Sequence, residues 1–319
     1  MKLTTPVPVK PQDPKIDHNS KIFLLGSCFV ENIGEQLDYY KFQNFRNPFG
    51  ILYHPLILEQ FILRAEKGFA YTEEDIFFHN ERWHSFAAHS VLSDPEKDRF
   101  LNRLNEQSLK SLEFLKYATH IILTLGTSWV YKTRESNEAV ANCHKLPQHN
   151  FHKEITSVEE LESSLQSLIS SLKRLNGSAQ IIFTISPVRH LKDGVVENQQ
   201  SKAHLISALH QVLNIPEAPA VYFPSYEIMI DELRDYRFYA EDMLHPNATA
   251  IRFIWYKFIT AWCTEETVNI LKEIEQIQRG LSHRPFNKNS LAHQNFLSDL
   301  KNKIELLISQ FPHINFKEA

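Results

Sequence analysis

Short apolar runs that each stop at a turn, separated by segments with apolar residues every three or four positions, constrain this chain more than any other feature. Lys21 to Leu25 stops at Gly26-Ser27, after which Phe29, Ile33 and Leu37 recur at helical spacing. A second run, Tyr40 to Phe45, ends in Asn47-Pro48-Phe49-Gly50 and precedes a helix over residues 55–66. Leu101, Leu104, Leu112 and Leu115 place a helix over 98–117, before a strand from Thr119 to Leu125 that stops at Gly126. Helices over 158–175 and 198–213 precede strands at Ala179 to Ile185, ending in Ser186-Pro187, and at Ala220 to Phe223. Strands and helices that alternate in this way form a mostly parallel sheet covered on both faces. The right-handed crossover rule then gives a three-layer α/β/α sandwich with a five-stranded, flavodoxin-like sheet.

Ligands of such sheets sit at the carboxyl ends of the strands. Glycine usage points to the same rim. The chain has only 8 glycines in 319 residues, well below the usual share of roughly 7%. Three of them, Gly26, Gly50 and Gly126, fall just past strand ends, where backbone freedom lets a turn close tightly.

Two regions interrupt the alternation. Within 69–95, Ile76 to His79 and Trp83 to Phe86 flank a polar turn and read as an inserted β-hairpin that can wall the rim. Beyond a helix over 250–262, two more follow at 264–281 and 290–308. The last carries Leu297, Leu300, Ile304 and Leu307 at seam spacing, suited to packing within the chain or to a homodimer contact through the C-terminal helices. The expected organisation is a proline-rich arm at 1–20, a catalytic domain at 21–263 and a helical extension at 264–319.

A formal charge of −4 without a basic block offers no footprint for nucleic acid. No segment has the length and apolarity of a membrane span. Cys28, Cys143 and Cys263 are too few and too widely spaced for a disulfide framework or a Cys-x-x-Cys site. With no signal-like apolar run near Met1, a reducing, cytoplasmic setting is expected.

Ser27, between a strand-ending glycine and an incoming helix, has two readings: a helix cap, or a nucleophile whose own N–H contributes to an oxyanion hole. Asp242-Met243-Leu244-His245-Pro246 can set an imidazole over the same rim, held through Nδ1–H by a carboxylate three residues away. The two features bracket the whole α/β unit, which favours the catalytic reading.

Together with Asn47-Pro48-Phe49-Gly50, Leu125-Gly126-Thr127, Asn142-Cys143-His144-Lys145 and Ser186-Pro187-Val188-Arg189-His190, Gly26-Ser27-Cys28-Phe29 and the DxxH segment resemble the GSCFA family, which is similar to the SGNH/GDSL hydrolases. The resemblance spans about residues 20 to 262. It implies Ser27 as nucleophile and Asp242 and His245 as its partners. It also implies an oxyanion hole from the Ser27 and Gly50 N–H groups, with Thr127, Ser128 or Asn142 replacing the asparagine usual in the third block. Asn47 is expected beside that hole.

Cys28 adjoins Ser27, and a thiol at a helix N-terminus is an alternative nucleophile. Consecutive side chains in a turn point apart, however, and free cysteine is usually packing, so Cys28 is read as packing. Arg189 and His190 emerge at the rim and are candidates for holding a carboxylate, phosphate or sugar diol. Trp83, His84 and His144 complete the candidate substrate contacts. His144, His149 and His152 lack a completing carboxylate or cysteine, so no metal is expected, and serine chemistry needs no cofactor. The expected function is a serine esterase or acyltransferase acting on an O-acyl ester, including carbohydrate esters, through acyl-Ser27. The alternative is a carbohydrate- or nucleotide-binding protein on the same fold.

Overall fold

The computed structural model describes residues 4–215 and 218–316. Residues 1–3 of the expected arm and 317–319 of the expected extension therefore lie outside the described residues. The central sheet contains β1 (Lys21–Gly26), β2 (Gln43–Arg46), β5 (His120–Leu125), β9 (Gln180–Ile185) and β10 (Ala220–Phe223), in the order β10-β9-β5-β1-β2. Every pairing is parallel, with Leu24 opposite Ile122 and Ile122 opposite Ile182. This is the flavodoxin-like order, and among the described residues no antiparallel edge is added to it.

Strand alternation divides the core in two. Phe23, Leu25, Ile121, Leu123, Ile181 and Phe183 face one layer, made of α2 (Pro55–Lys67), α3 (Lys97–Tyr117), α4 (Val158–Leu175) and α5 (Val195–Leu213). Ile22, Leu24, Ile122, Ile182 and Phe223 face the other. That second layer contains α1 (Phe29–Tyr39), the π-helical turn Ile228–Glu232 that follows the short α6 (Ser225–Glu227), and α7 (Ala248–Trp262). Residues 7–16 run along this layer as a strap. Gln12 N–H donates to Ala261 O at 2.9 Å and Ile16 N–H to Trp262 O at 2.7 Å. Val7 N–H donates to Glu232, whose carboxylate also pairs with Lys257.

The expected hairpin is present as β3 (Phe77–His79) and β4 (Arg82–His84). Residues 126–155 contain a second small sheet: β6 (Trp129–Thr133), β7 (Ala139–Val140) and β8 (Phe151–Ile155) in the antiparallel order β7-β6-β8. Its strands are short and mostly half-buried, so they lack the apolar run that marks a central strand. Beyond α7, α8 (Glu265–Leu281) and α9 (Leu291–Gln310) enclose a third cluster with Ile314 and Phe316. Leu300, Ile304 and Leu307 of the seam are used within it, and Leu297 remains exposed. Among the described residues no helix is long and apolar enough to cross a membrane.

Candidate active site

The rim is built around the end of β1. Gly26 has φ +148, and a Cβ there would lie 2.3 Å from Thr124 O on the neighbouring strand, so only glycine fits this close approach. Asn47 Oδ1 accepts the Gly26 N–H at 2.9 Å, while its Nδ2 donates to Glu31 at 2.6 Å. Ser27 N–H continues the ladder to Thr124 O at 3.0 Å.

At Ser27 the geometry departs from the expectation. Its side chain is wholly buried, and its Oγ accepts the Phe29 N–H at 3.3 Å in a local turn just before α1. Cys28, in the N-cap position of α1, turns toward the rim instead, with Sγ 3.5 Å from His245 Nε2. The two consecutive side chains do point apart, but the serine points inward and the cysteine outward. Burial pushes the Cys28 thiol up, opposed by the Cys28 and Phe29 backbone N–H groups and by Lys202. Among the described residues the Cys28 N–H donates to no other group.

His245 stands on a tight loop. Asp242 Oδ1 accepts the Leu244 and His245 N–H groups at 2.9 and 3.0 Å, and Oδ2 lies 2.6 Å from His245 Nδ1. Those two N–H groups, and then the imidazole, hold the Asp242 carboxyl down at about 2. Met243 takes φ +60 to close the turn. Arg189 braces it, its N–H donating to Leu244 O at 3.1 Å and its guanidinium to Met243 O at 3.3 Å. Asn247 caps α7 behind the loop, accepting from Thr249 and Ala250. A carboxylate, an imidazole and a thiol are thus joined in one line at the strand ends.

Several expected donors are committed elsewhere. The Gly50 N–H donates to Asn47 O at 2.8 Å. Thr127 Oγ1 bonds Ser201 Oγ at 2.7 Å, and Ser128 Oγ donates to Ser201 O at 3.2 Å, fastening both residues to α5. Asn142 is engaged only through Oδ1, which accepts the His144 N–H, while its Nδ2 makes no protein hydrogen bond among the described residues. His84 is held by Ser93 and His79, and His144 by Ser90 and Ser85, so both join the hairpin to the rest of the wall. Trp83 packs at the hairpin under Lys97 and against Phe78. His190 does sit near the centre: burial, then Lys202 and His245, push it down to about 3, and its buried Nε2 has no hydrogen-bond partner among the described residues. Among the described residues no three His, Cys, Asp or Glu side chains gather as a metal site.

Sequence reasoning missed Lys202. It is wholly buried on α5, with Nζ donating to Gly126 O at 2.6 Å and Ser186 O at 2.8 Å, which ties together the ends of β5 and β9. Burial pulls its amine down to about 7, offset in part by Cys28. The signal was available, since a lysine at 202 falls on the same helical stripe as Leu205, Leu209 and Val212.

Residues 21–258 match the GSCFA family. The chain belongs to the GSCFA family. Residues 274–319 match the GSCFA domain protein C-terminal domain, which covers the end of α8 and all of α9. No curated protein matches this GSCFA chain. Among solved structures it is similar to a carbohydrate esterase family 3 protein from Talaromyces cellulolyticus, at 8% identity and TM-score 0.37 over 80% of this chain and 99% of that one. It is also similar to an acetyl esterase mutant with acetate ion, at 10% identity and TM-score 0.32, again over 80% and 99%.

Proposed function

We propose that this GSCFA protein is an esterase or acyltransferase that works through a thioester on Cys28 rather than an ester on Ser27. The observation that carries the reading is the alignment of Cys28 Sγ, His245 and Asp242, at 3.5 and 2.6 Å. In the first half-reaction His245 Nε2 takes the thiol proton as sulfur bonds to the acyl carbon, and the carbonyl π pair moves to oxygen. The Cys28 N–H, at the start of α1, is placed to stabilise that oxyanion with the helix dipole. The oxyanion then collapses, the alkoxide leaves, and it takes the proton from His245. In the second half-reaction His245 deprotonates water or an acceptor hydroxyl, which attacks the thioester. The C–S bond breaks and the thiolate recovers the proton. Because burial keeps the resting thiol protonated, the base must act during attack, as it does for a serine.

The test is to incubate the protein with aryl acetates and with acetyl thioesters and to locate the acyl adduct by peptide mass spectrometry. An adduct is expected on Cys28, absent in Cys28→Ala, slowed in His245→Ala and retained in Ser27→Ala. An adduct on Ser27, or undiminished turnover in Cys28→Ala, would overturn the reading. Retention of acyl-Cys28 until a hydroxyl acceptor is added would select transfer over hydrolysis.

A further inference from the structure

The Asn142-Cys143-His144-Lys145 segment takes no part in the thiol centre. It borders a cavity of about 320 Å³ between the start of α2, strand β6 and Lys192. That volume is at the small end for ligand sites. Tyr53, Tyr131 and Cys143 line it, and their polar tips act on one another, since Cys143 and Tyr131 both raise Tyr53, and Cys143 raises Tyr131. Among the described residues neither tyrosine hydroxyl, nor the Cys143 thiol, nor Asn142 Nδ2 makes a protein hydrogen bond, although their neighbours are densely bonded. These tips line the cavity, half-buried and open to solvent, so their hydrogen-bonding capacity is free to be used by a polar molecule that enters it.

The wall is rigid where it presents these groups. His144 and Lys145 both take left-handed backbone, at φ 51 and 62, as the turn closes through Leu146 N–H to Cys143 O at 2.9 Å. His144 is pinned through Nε2 to Ser85 O at 2.8 Å. The charge at the cavity is positive. Lys192 and Lys153 both draw the Cys143 thiol downward against burial. Lys153 is neutralised by Asp193, whereas Lys192 and Lys145 have no ion-pair partner among the described residues.

We propose that this cavity binds a single sugar ring bearing an anionic group, its hydroxyls meeting Tyr53, Tyr131 and Asn142 and its anion meeting Lys192 and Lys145. Hydroxyl tips that can both donate and accept suit a polyol, and unpaired ammonium groups supply the charge-assisted contact. Cys28, His245 and Asp242 do not line this cavity, and the Tyr53 ring on its wall lies 5.9 Å from that of His190. This inference does not rest on the assignment of Cys28.

The probes are D-glucuronate, glucose 6-phosphate and glucose, each titrated by calorimetry into the full chain and into Tyr53→Phe, Tyr131→Phe, Lys192→Met and Cys28→Ala. At least one anionic probe is expected to bind more tightly than glucose, the two probes distinguishing carboxylate from phosphate. Loss of one hydroxyl should weaken binding about threefold to tenfold, and loss of the Lys192 charge about tenfold or more. Cys28→Ala should bind as the parent does. Absence of binding by both anionic probes at millimolar concentration in protein of unchanged Tm, or binding equal to the parent's in Tyr53→Phe, Tyr131→Phe and Lys192→Met, would overturn the proposal. Failure of acyl-Cys28 formation would leave these titrations unaltered, so the two readings fail separately.

Discussion

Acidification should unfold this protein through its buried neutral histidines, and His54 is the one that measures the effect. It is wholly buried at the N-cap of α2. Its Nδ1 accepts the Leu56 N–H at 3.2 Å, while Nε2 reaches Ser128 O at 3.2 Å and Thr156 Oγ1 at 3.1 Å. This bonding fixes the neutral ring with its hydrogen on Nε2, and a second proton on Nδ1 would set two donors against each other. Burial accordingly pulls His54 from 6.5 down to about 4. Between those values the unfolded chain binds the proton and the folded chain does not, so stability is complete above 6.5 and falls as pH drops toward 4. At pH 5 one such group costs about 2 kcal/mol, a large part of the 5–15 kcal/mol that holds a typical domain. His144 and His190, held at about 4 and about 3, act with the same sign. The assay is urea unfolding followed by tryptophan fluorescence at pH 7.5, 6 and 5, in the parent and in His54→Asn. Asparagine keeps the cap acceptor but does not titrate. The variant should be less stable at pH 7.5, yet lose about 2 kcal/mol less than the parent on going to pH 5. Identical pH dependence in the two proteins would refute the argument.

Asp242→Asn preserves an acceptor for Leu244 and His245 N–H while removing the charge beside Nδ1. It should lower kcat for aryl-ester turnover about a hundredfold or more with little change in stability, and unchanged kcat would remove Asp242 from the mechanism. Gly26→Ala forces a Cβ into Thr124 O and should cost about 3 kcal/mol in denaturant unfolding; a loss below about 1 kcal/mol would mean the strand ends can part freely. Lys202→Met strands the Gly126 and Ser186 carbonyls and should destabilise by about 3 kcal/mol. Urea unfolding at pH 7.5 reads the loss, and a change below about 1 kcal/mol would mean that the two carbonyls find other donors.

The architecture was legible because parallel strands covered on both faces must be continuous apolar runs, and Lys21–Gly26, His120–Leu125 and Gln180–Ile185 are such runs. The small β6-β7-β8 sheet was not, because two- to five-residue strands with half-buried side chains carry no period long enough to read. Asp242 and His245 were legible as a pair since a local turn brings them together. Which of Ser27 and Cys28 meets His245 depends on the direction in which a single turn leaves β1, and that direction is set by Thr124 and Asn47, distant in sequence. The commitments of Gly50, Thr127 and Ser128 likewise depend on partners in other elements, above all on α5.

The strap has a consequence for synthesis. Residues 7–16 fasten to Glu232, Lys257, Ala261 and Trp262, partners roughly 225 to 250 positions later in the chain. At about 5–20 residues per second the ribosome needs on the order of ten seconds or more to supply those partners. Cys28 and His245 are separated almost as widely, by 217 positions. A nascent chain can pair β1 with β2 and then β5 long before the strap can close, so its early half carries a thiol with no base beside it. The imidazole arrives with the same stretch of chain that fastens the strap. Closure of the second layer and assembly of the thiol–imidazole pair therefore belong to one late event, and an incomplete chain carries no thiol–imidazole pair.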